Sequence, residues 1–186
     1  KLEEDIDTRW SSFLLHGFKC AGCDELHTGV FDLAYVRPDA WPGAVAYEAN
    51  SSLKTDGNFL SEDFCVVEGA HFFVRGVLVL PIIGVNGATF GYGTWASLSR
   101  KNFEAYVTVF DSGHSGDDDW FGWFSNRLKG YPETFNLKCR VRTRPGRQRP
   151  VFLLEPTDHP LAIEQRKGVK FDRLLEIYAS HGHEIE

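Results

Sequence analysis

The sequence predicts an α+β domain: one antiparallel sheet with helices packed mainly on one face, and a small Cys-x-x-Cys knuckle near the N-terminus. Strand-like runs follow one another without a repeated strand–helix–strand rhythm, which argues against a parallel sheet. Segments with apolar residues at helical spacing stand between and after those runs. The 186 residues, 42% hydrophobic and 25% charged, describe one ordinary globular core.

Residues 5–15 read as a short helix with Trp10, Phe13 and Leu14 on one face and an acidic start, which suits a helix N-terminus. Residues 1–17 are expected as an N-terminal extension and residues 18–186 as the single domain. After the Cys-x-x-Cys segment, "VFDLAYVRP" reads as a strand that stops at Pro38. Residues 38–63 are rich in turn formers and predict a connecting region. "DFCVVEGAHFFVRGVLVLPIIG" has β-branched and aromatic residues on both sides of Glu68-Gly69, the pattern of a hairpin. "TFGYGTWASLS" alternates, with Phe90, Tyr92, Thr94, Ala96 and Leu98 on one face. Gly91 and Gly93 on the other face leave room for a second backbone or a ligand. Ser99 is placed to cap a helix running to about Phe110.

"DSGHSGDDD" reads as a polar loop, and "WFGWFSNRLKGYPET" as a short helix ended by Gly130 and Pro132. Two strands follow, "FNLKCRVRTR" and "PVFLLEP", joined by the turn "PGRQR". The chain closes with "DHPLAIEQRKG" and a helix from about Phe171 to His181, with Asp158 or Asp172 as a capping residue.

The formal net charge of −6 disfavours a general nucleic-acid binder, whose footprint is basic. It fits a soluble protein or one that meets a basic partner. The longest apolar run, Val77 to Val85, carries a proline and is too short to span a bilayer. The acidic start "KLEEDIDTRW" has no signal-peptide core, so a cytoplasmic location is expected. Met is absent, so Lys1 is not expected to be a translation start. Four Cys with one close pair do not form the pattern of a secreted disulfide framework.

The chemistry-bearing stretch is "FKCAGCDELHTG". Two thiolates separated by a tight turn reach one metal ion, Gly22 eases that turn, and His27 follows four residues after Cys23. A structural zinc site needs a fourth donor. Cys65 is favoured, because the start of a strand can staple a knuckle onto a sheet; His159 is second, with His71 and His16 behind it. The competing readings are two ordinary semi-buried thiols and a redox pair, the latter lacking the strand-then-helix context such pairs require.

"EPTDHPLAIEQR" gathers Glu155, Asp158, His159, Glu164 and Arg166, so His159 with a neighbouring carboxylate is an acid–base candidate. An ordinary turn and helix start explains the same residues more simply. "DDDWFGWFSNR" couples Asp117 to Asp119 with aromatics that include Trp120 and Trp123, and ends in Arg127. An aromatic contact surface and a buried helix face both fit it. Arg140, Arg142 and Arg144 alternate along a strand, with Arg147 and Arg149 close behind; a solvent-facing polar row is the simpler reading. "GVNGATFGYG" matches no phosphate-binding glycine pattern.

Five segments together, "FKCAGCDELHTG", "FCVVEGAHFFVRGVLVLPIIG", "FGYGTWASLSRKNFEAY", "FGWFSNRLKGYPET" and "NLKCRVRTRPGRQRPVFLLEPTDHPLAIEQRKG", resemble the bacterial domain of unknown function 2199 over roughly residues 18 to 180. The resemblance implies a small bacterial cytoplasmic protein and assigns it no activity, substrate or partner. The family pattern Cys-x-x-Cys-Gly-x-x-His falls on Cys20, Cys23 and His27, with Asp24 where the glycine stands. Asp tolerates an unusual backbone less well than Gly.

These readings converge on a protein-binding module stapled by structural zinc at Cys20, Cys23, His27 and Cys65. Trp120, Trp123, Arg127 and His159 are the binding candidates, and no residue is assigned as catalytic. The alternative is a hydrolase-like or metal-dependent enzyme using His159 and its neighbouring carboxylates.

Overall fold

The computed structural model describes residues 7–23, 25–114 and 118–184. Asp24, Asp117 and residues 5 and 6 of the expected first helix lie outside the described residues. In chain order the elements begin with α1 (Arg9–His16), β1 (Phe18–Lys19), β2 (Leu26–His27) and β3 (Leu33–Ala34), then a 3₁₀ turn at Asn50–Ser52. They continue with β4 (Phe59–Leu60), β5 (Phe64–Val67), β6 (His71–Pro81), β7 (Thr89–Leu98) and α2 (Arg100–Ser112). Last come β8 (Asp119–Phe124), β9 (Lys138–Arg142), β10 (Val151–Leu154), α3 (Pro160–Lys167) and α4 (Phe171–Ser180).

The expected antiparallel sheet with helices on one face is not what these strands build. Strands β6 to β10 pair in sequence order, each antiparallel to the next. β10 then meets β6 in parallel, Val151 opposite Val77, and closes a five-stranded mixed barrel. Three strands lie outside the barrel: β4 and β5 extend from β6, and β3 joins β7 in parallel. β1 and β2 form a separate hairpin.

Closure depends on one edge of β6 serving two partners. Residues His71 to Val74 pair with β5, and Val77 pairs with β10. Gly76 stands where the first partner leaves and the second arrives. A β-carbon there would fall 2.5 Å from the Phe152 ring and 2.8 Å from the Pro150 carbonyl oxygen, so only glycine lets β10 come in. The seam is completed by a side chain: the Gln165 amide donates to the Phe152 carbonyl at 2.7 Å and accepts from the Leu154 N–H at 2.8 Å. It stands in for the missing strand backbone.

A closed barrel hides its apolar interior from both sheet faces, so helices cover the ends. Phe72, Val74, Leu78 and Leu80 of β6 face Phe90, Tyr92, Ala96 and Leu98 of β7 in the main core. Phe103 of α2 packs on Phe72 at one end, and Tyr178 of α4 packs on Phe90 at the other. Outside, Leu60, Cys65, Val67, Phe73 and Trp95 gather with Trp41 into a second cluster. α1, within the segment expected as an extension, places Trp10 and Phe13 against Phe171 at 4.7 and 5.4 Å.

Local expectations fare unevenly. Glu68 and Gly69 both take left-handed φ, 56° and 64°, in the expected hairpin turn. Gly93 pairs edge to edge with Ala34 of β3, and a β-carbon there would meet Ala34 only at ordinary contact distance. At Gly91 it would fall 3.0 Å from the Asp32 carboxylate, so the close approach on the bare face is made by a side chain. The Ser99 hydroxyl accepts from the Asn102 N–H at 3.2 Å and caps α2. "WFGWF" lies in strand β8 and not in a helix: its apolar residues satisfy both periods over so short a run, and pairing with β7 and β9 decides. His159 caps α3, its Nδ1 accepting from the Leu161 N–H at 3.1 Å; Lys170 precedes α4 without a side-chain cap. Neither Asp158 nor Asp172 holds the capping role. Among the described residues no helix is long and apolar enough to cross a membrane.

Candidate metal centre

The Cys-x-x-Cys segment forms the loop of the β1–β2 hairpin. Phe18 pairs with His27 and Lys19 with Leu26, and the Cys20 N–H donates to the Glu25 carbonyl at 2.9 Å. The hairpin returns His27 beside the loop, where the Cys23 sulfur lies 3.1 Å from its Nε2. Below His27 the rings continue: it stacks on Phe31 at 4.4 Å, and Phe31 stacks on Tyr178 at 4.1 Å. The Tyr178 hydroxyl accepts from the Phe31 N–H and donates to the Phe31 carbonyl. The imidazole orientation is therefore set by a stack anchored in α4.

The same helix delivers a fourth donor. After α4 the chain turns, and the His183 N–H donates back to the Tyr178 carbonyl at 2.9 Å. His181 fixes the turn: its Nδ1 lies 2.8 Å from the Ile177 carbonyl, and its Nε2 lies 2.8 Å from the Tyr35 hydroxyl. The carbonyl partner assigns the proton to Nδ1, so Tyr35 donates to Nε2. Burial pushes the His181 pKa down, in keeping with a neutral ring. The Ala21 N–H then donates to the Glu184 carbonyl at 3.1 Å and ties knuckle to tail.

Donor atoms of Cys20, Cys23, His27 and His183 thereby all lie within 4.8 Å of one another. Cys20 is buried, Cys23 exposed, and both histidines half-buried. Burial pushes the Cys20 thiol up, but N–H groups of Cys23, Gly22 and Glu184 and the Cys23 thiol donate to its sulfur. Together they hold its pKa below the ordinary thiol value. The Glu25 N–H pulls Cys23 down, while burial and the adjacent Cys20 sulfur outweigh it and leave Cys23 raised. The two sulfurs thus share one site at which a first negative charge is welcomed and a second needs a cation.

Cys65, favoured from sequence as the fourth donor, is elsewhere. It pairs with Leu60 and Phe73 across β4, β5 and β6 and packs beside Trp95. Burial pushes its thiol up to about 12, so it stays protonated. His16 ends α1, His71 starts β6 and His159 caps α3; none joins the group. His183 was legible only as half of the terminal "HGH", a glycine between two histidines, because its approach depends on how α4 docks.

The other candidates are apart from this centre. Trp120 is half-buried and meets Tyr106 edge-on at 6.2 Å, whereas Trp123 is exposed on the opposite side of β8. Arg127 is clamped between Asp39 and Glu133 and lies over the Phe135 ring. His159 spends Nδ1 on its cap, and its Nε2 is buried without a partner among the described residues. Glu164 accepts from both Tyr131 and Arg173, so that carboxylate is held by its neighbours and not poised beside His159.

A family model described as an uncharacterized protein conserved in bacteria, DUF2199, matches residues 19–169. The chain belongs to this family. Within DUF2199 the matched range takes in Cys20, Cys23 and His27, and His183 lies beyond it. No curated protein and no solved structure matches the chain.

Proposed function

We propose that this DUF2199 chain is a non-enzymatic protein-binding domain whose two ends are stapled by a structural zinc ion held by Cys20, Cys23, His27 and His183. The observation that carries the reading is the convergence of four Cys and His donors, from the N-terminal hairpin and the C-terminal tail, within 4.8 Å. Mixed thiolate and imidazole donors suit zinc among the common divalent ions. Four protein donors fill its usual shell and leave no position for substrate, the mark of a structural centre. The cytoplasm, where glutathione keeps thiols reduced, suits such a site. On the binding side, support comes from Phe121 and Trp123, aromatic side chains left exposed on the outer side of β8.

The test is elemental analysis of protein purified without a histidine tag under reducing conditions. About one zinc per chain is expected, lost in Cys20→Ser and in His183→Ala and retained in Cys65→Ser. Metal-free wild-type protein, or loss of zinc in Cys65→Ser with retention in His183→Ala, overturns the assignment.

A further inference from the structure

We infer that the outer face of β8 and β9 is a docking surface for an acidic polypeptide segment that also carries apolar side chains. The inference rests on the protein-binding half of the proposed function and is independent of the metal. On β8, Gly122 and Phe124 are buried, while Phe121 and Trp123 are 37% and 39% exposed. Their rings meet edge-to-face at 5.0 Å, so the pair forms one raised apolar ridge. The antiparallel register puts Arg142 opposite Asp119, Arg140 opposite Phe121 and Lys138 opposite Trp123. Every outward position of β9 is therefore a cation, beside an aromatic ridge. Val151 and Leu153 of β10, half-buried, stand opposite Arg142 and Arg140 and continue the apolar floor.

The charge of this face decides the occupant. Among the described residues three cations stand against two carboxylates: Asp119, which pairs with both Arg140 and Arg142, and exposed Glu155, which follows Leu154 in register opposite Lys138 and donates its N–H to the Lys138 carbonyl at 2.9 Å. The face keeps an excess of one cation over its carboxylates, and both guanidiniums remain about half exposed. Trp and Arg are the side chains that most often anchor interfaces. Outward positions two residues apart on a strand repeat at about 6.7 Å, the spacing of alternate side chains in an extended peptide. A segment alternating carboxylates with apolar residues meets both rows at once. The whole chain's −6 charge points to a basic partner, but this face selects the opposite sign locally. A single-stranded nucleic acid also stacks on aromatics, yet its dense phosphates meet the repulsion of the whole molecule and of Asp119 within the face.

The test is selection of a random peptide library displayed on phage against the full chain, followed by anisotropy titration of the recovered peptides. Expected are sequences alternating Asp or Glu with aromatic or aliphatic residues, and binding that weakens as salt rises. Trp123→Ala and Lys138→Glu each weaken the binding about tenfold or more, with unchanged thermal unfolding showing that both variants fold; Lys138→Glu leaves Asp119 and its arginines intact. Failure to enrich acidic peptides, or peptides indifferent to both substitutions, overturns the surface. So does labelled oligothymidylate that binds more tightly than the peptides and is lost in Trp123→Ala. Basic peptides that bind regardless of Trp123 overturn this face while leaving the binding-domain reading standing.

Discussion

A β-carbon added at Gly22 would fall 1.8 Å from the Gly182 carbonyl oxygen, far inside any tolerable contact, and that oxygen belongs to backbone. Gly22 is thus the residue against which the C-terminal tail is laid, and the tail carries His183. Gly22→Ala should push the two segments apart and lower zinc affinity about 10–100-fold, the usual effect of disturbing what orients a ligand. Competition with a calibrated chelator measures it, and an unchanged far-UV spectrum is expected alongside. In the sequence Gly22 stands as a residue that eases the knuckle's turn, but its contact with Gly182 joins residues 160 positions apart and leaves no local signature. Cys65 misled for a related reason. Its place on a strand was read correctly, but which side of that strand it faces is decided by Trp95 and Phe73 packing over it.

Strand β10 shows how little holds a closure of this kind. Its ladder to β6 is a single register pair, and the Gln165 amide supplies two further hydrogen bonds at the seam. Gln165→Leu keeps the volume but leaves the Phe152 carbonyl and the Leu154 N–H without partners, each costing about 1–3 kcal/mol. Urea denaturation should show a lowered midpoint with little change in slope, because the surface exposed on unfolding is nearly the same. A midpoint equal to wild type would mean that water replaces the amide at no cost. The helical reading of β8 failed at this level too. Trp120, Phe121, Trp123 and Phe124 fit a helical stripe on paper, and only the ladders to β7 and β9 impose the two-residue alternation that buries Phe124 and exposes Trp123.

For the molecule entire, a metal at Cys20 and His183 cross-links positions 163 residues apart. Cross-linking so long a loop restricts the unfolded chain and is worth about 5 kcal/mol by the loop-entropy argument for disulfides. Each kcal/mol moves the melting point of a domain this size by about 2–4 °C. Chelation at pH 8 should therefore lower Tm by roughly 10–20 °C. Protons compete with metal for the same sulfurs and imidazoles, so the increment is present where the donors are deprotonated and lost as acid protonates them. At pH 5 the chelator should change Tm little. A chelator effect as large at pH 5 as at pH 8 would separate the stabilisation from these donors.

Whatever depends on neighbours in the chain was readable from the residues: the Glu68-Gly69 turn, the alternation of β7, the Ser99 cap, and the gathering of Cys20, Cys23 and His27. These follow from backbone sterics and periodicity over a few residues. The barrel closure at Gly76, the strand identity of β8 and the arrival of His183 depend on partners far along the chain. Such partners compete on packing and hydrogen-bond completion across the whole fold, and no short stretch of sequence contains both sides of that competition.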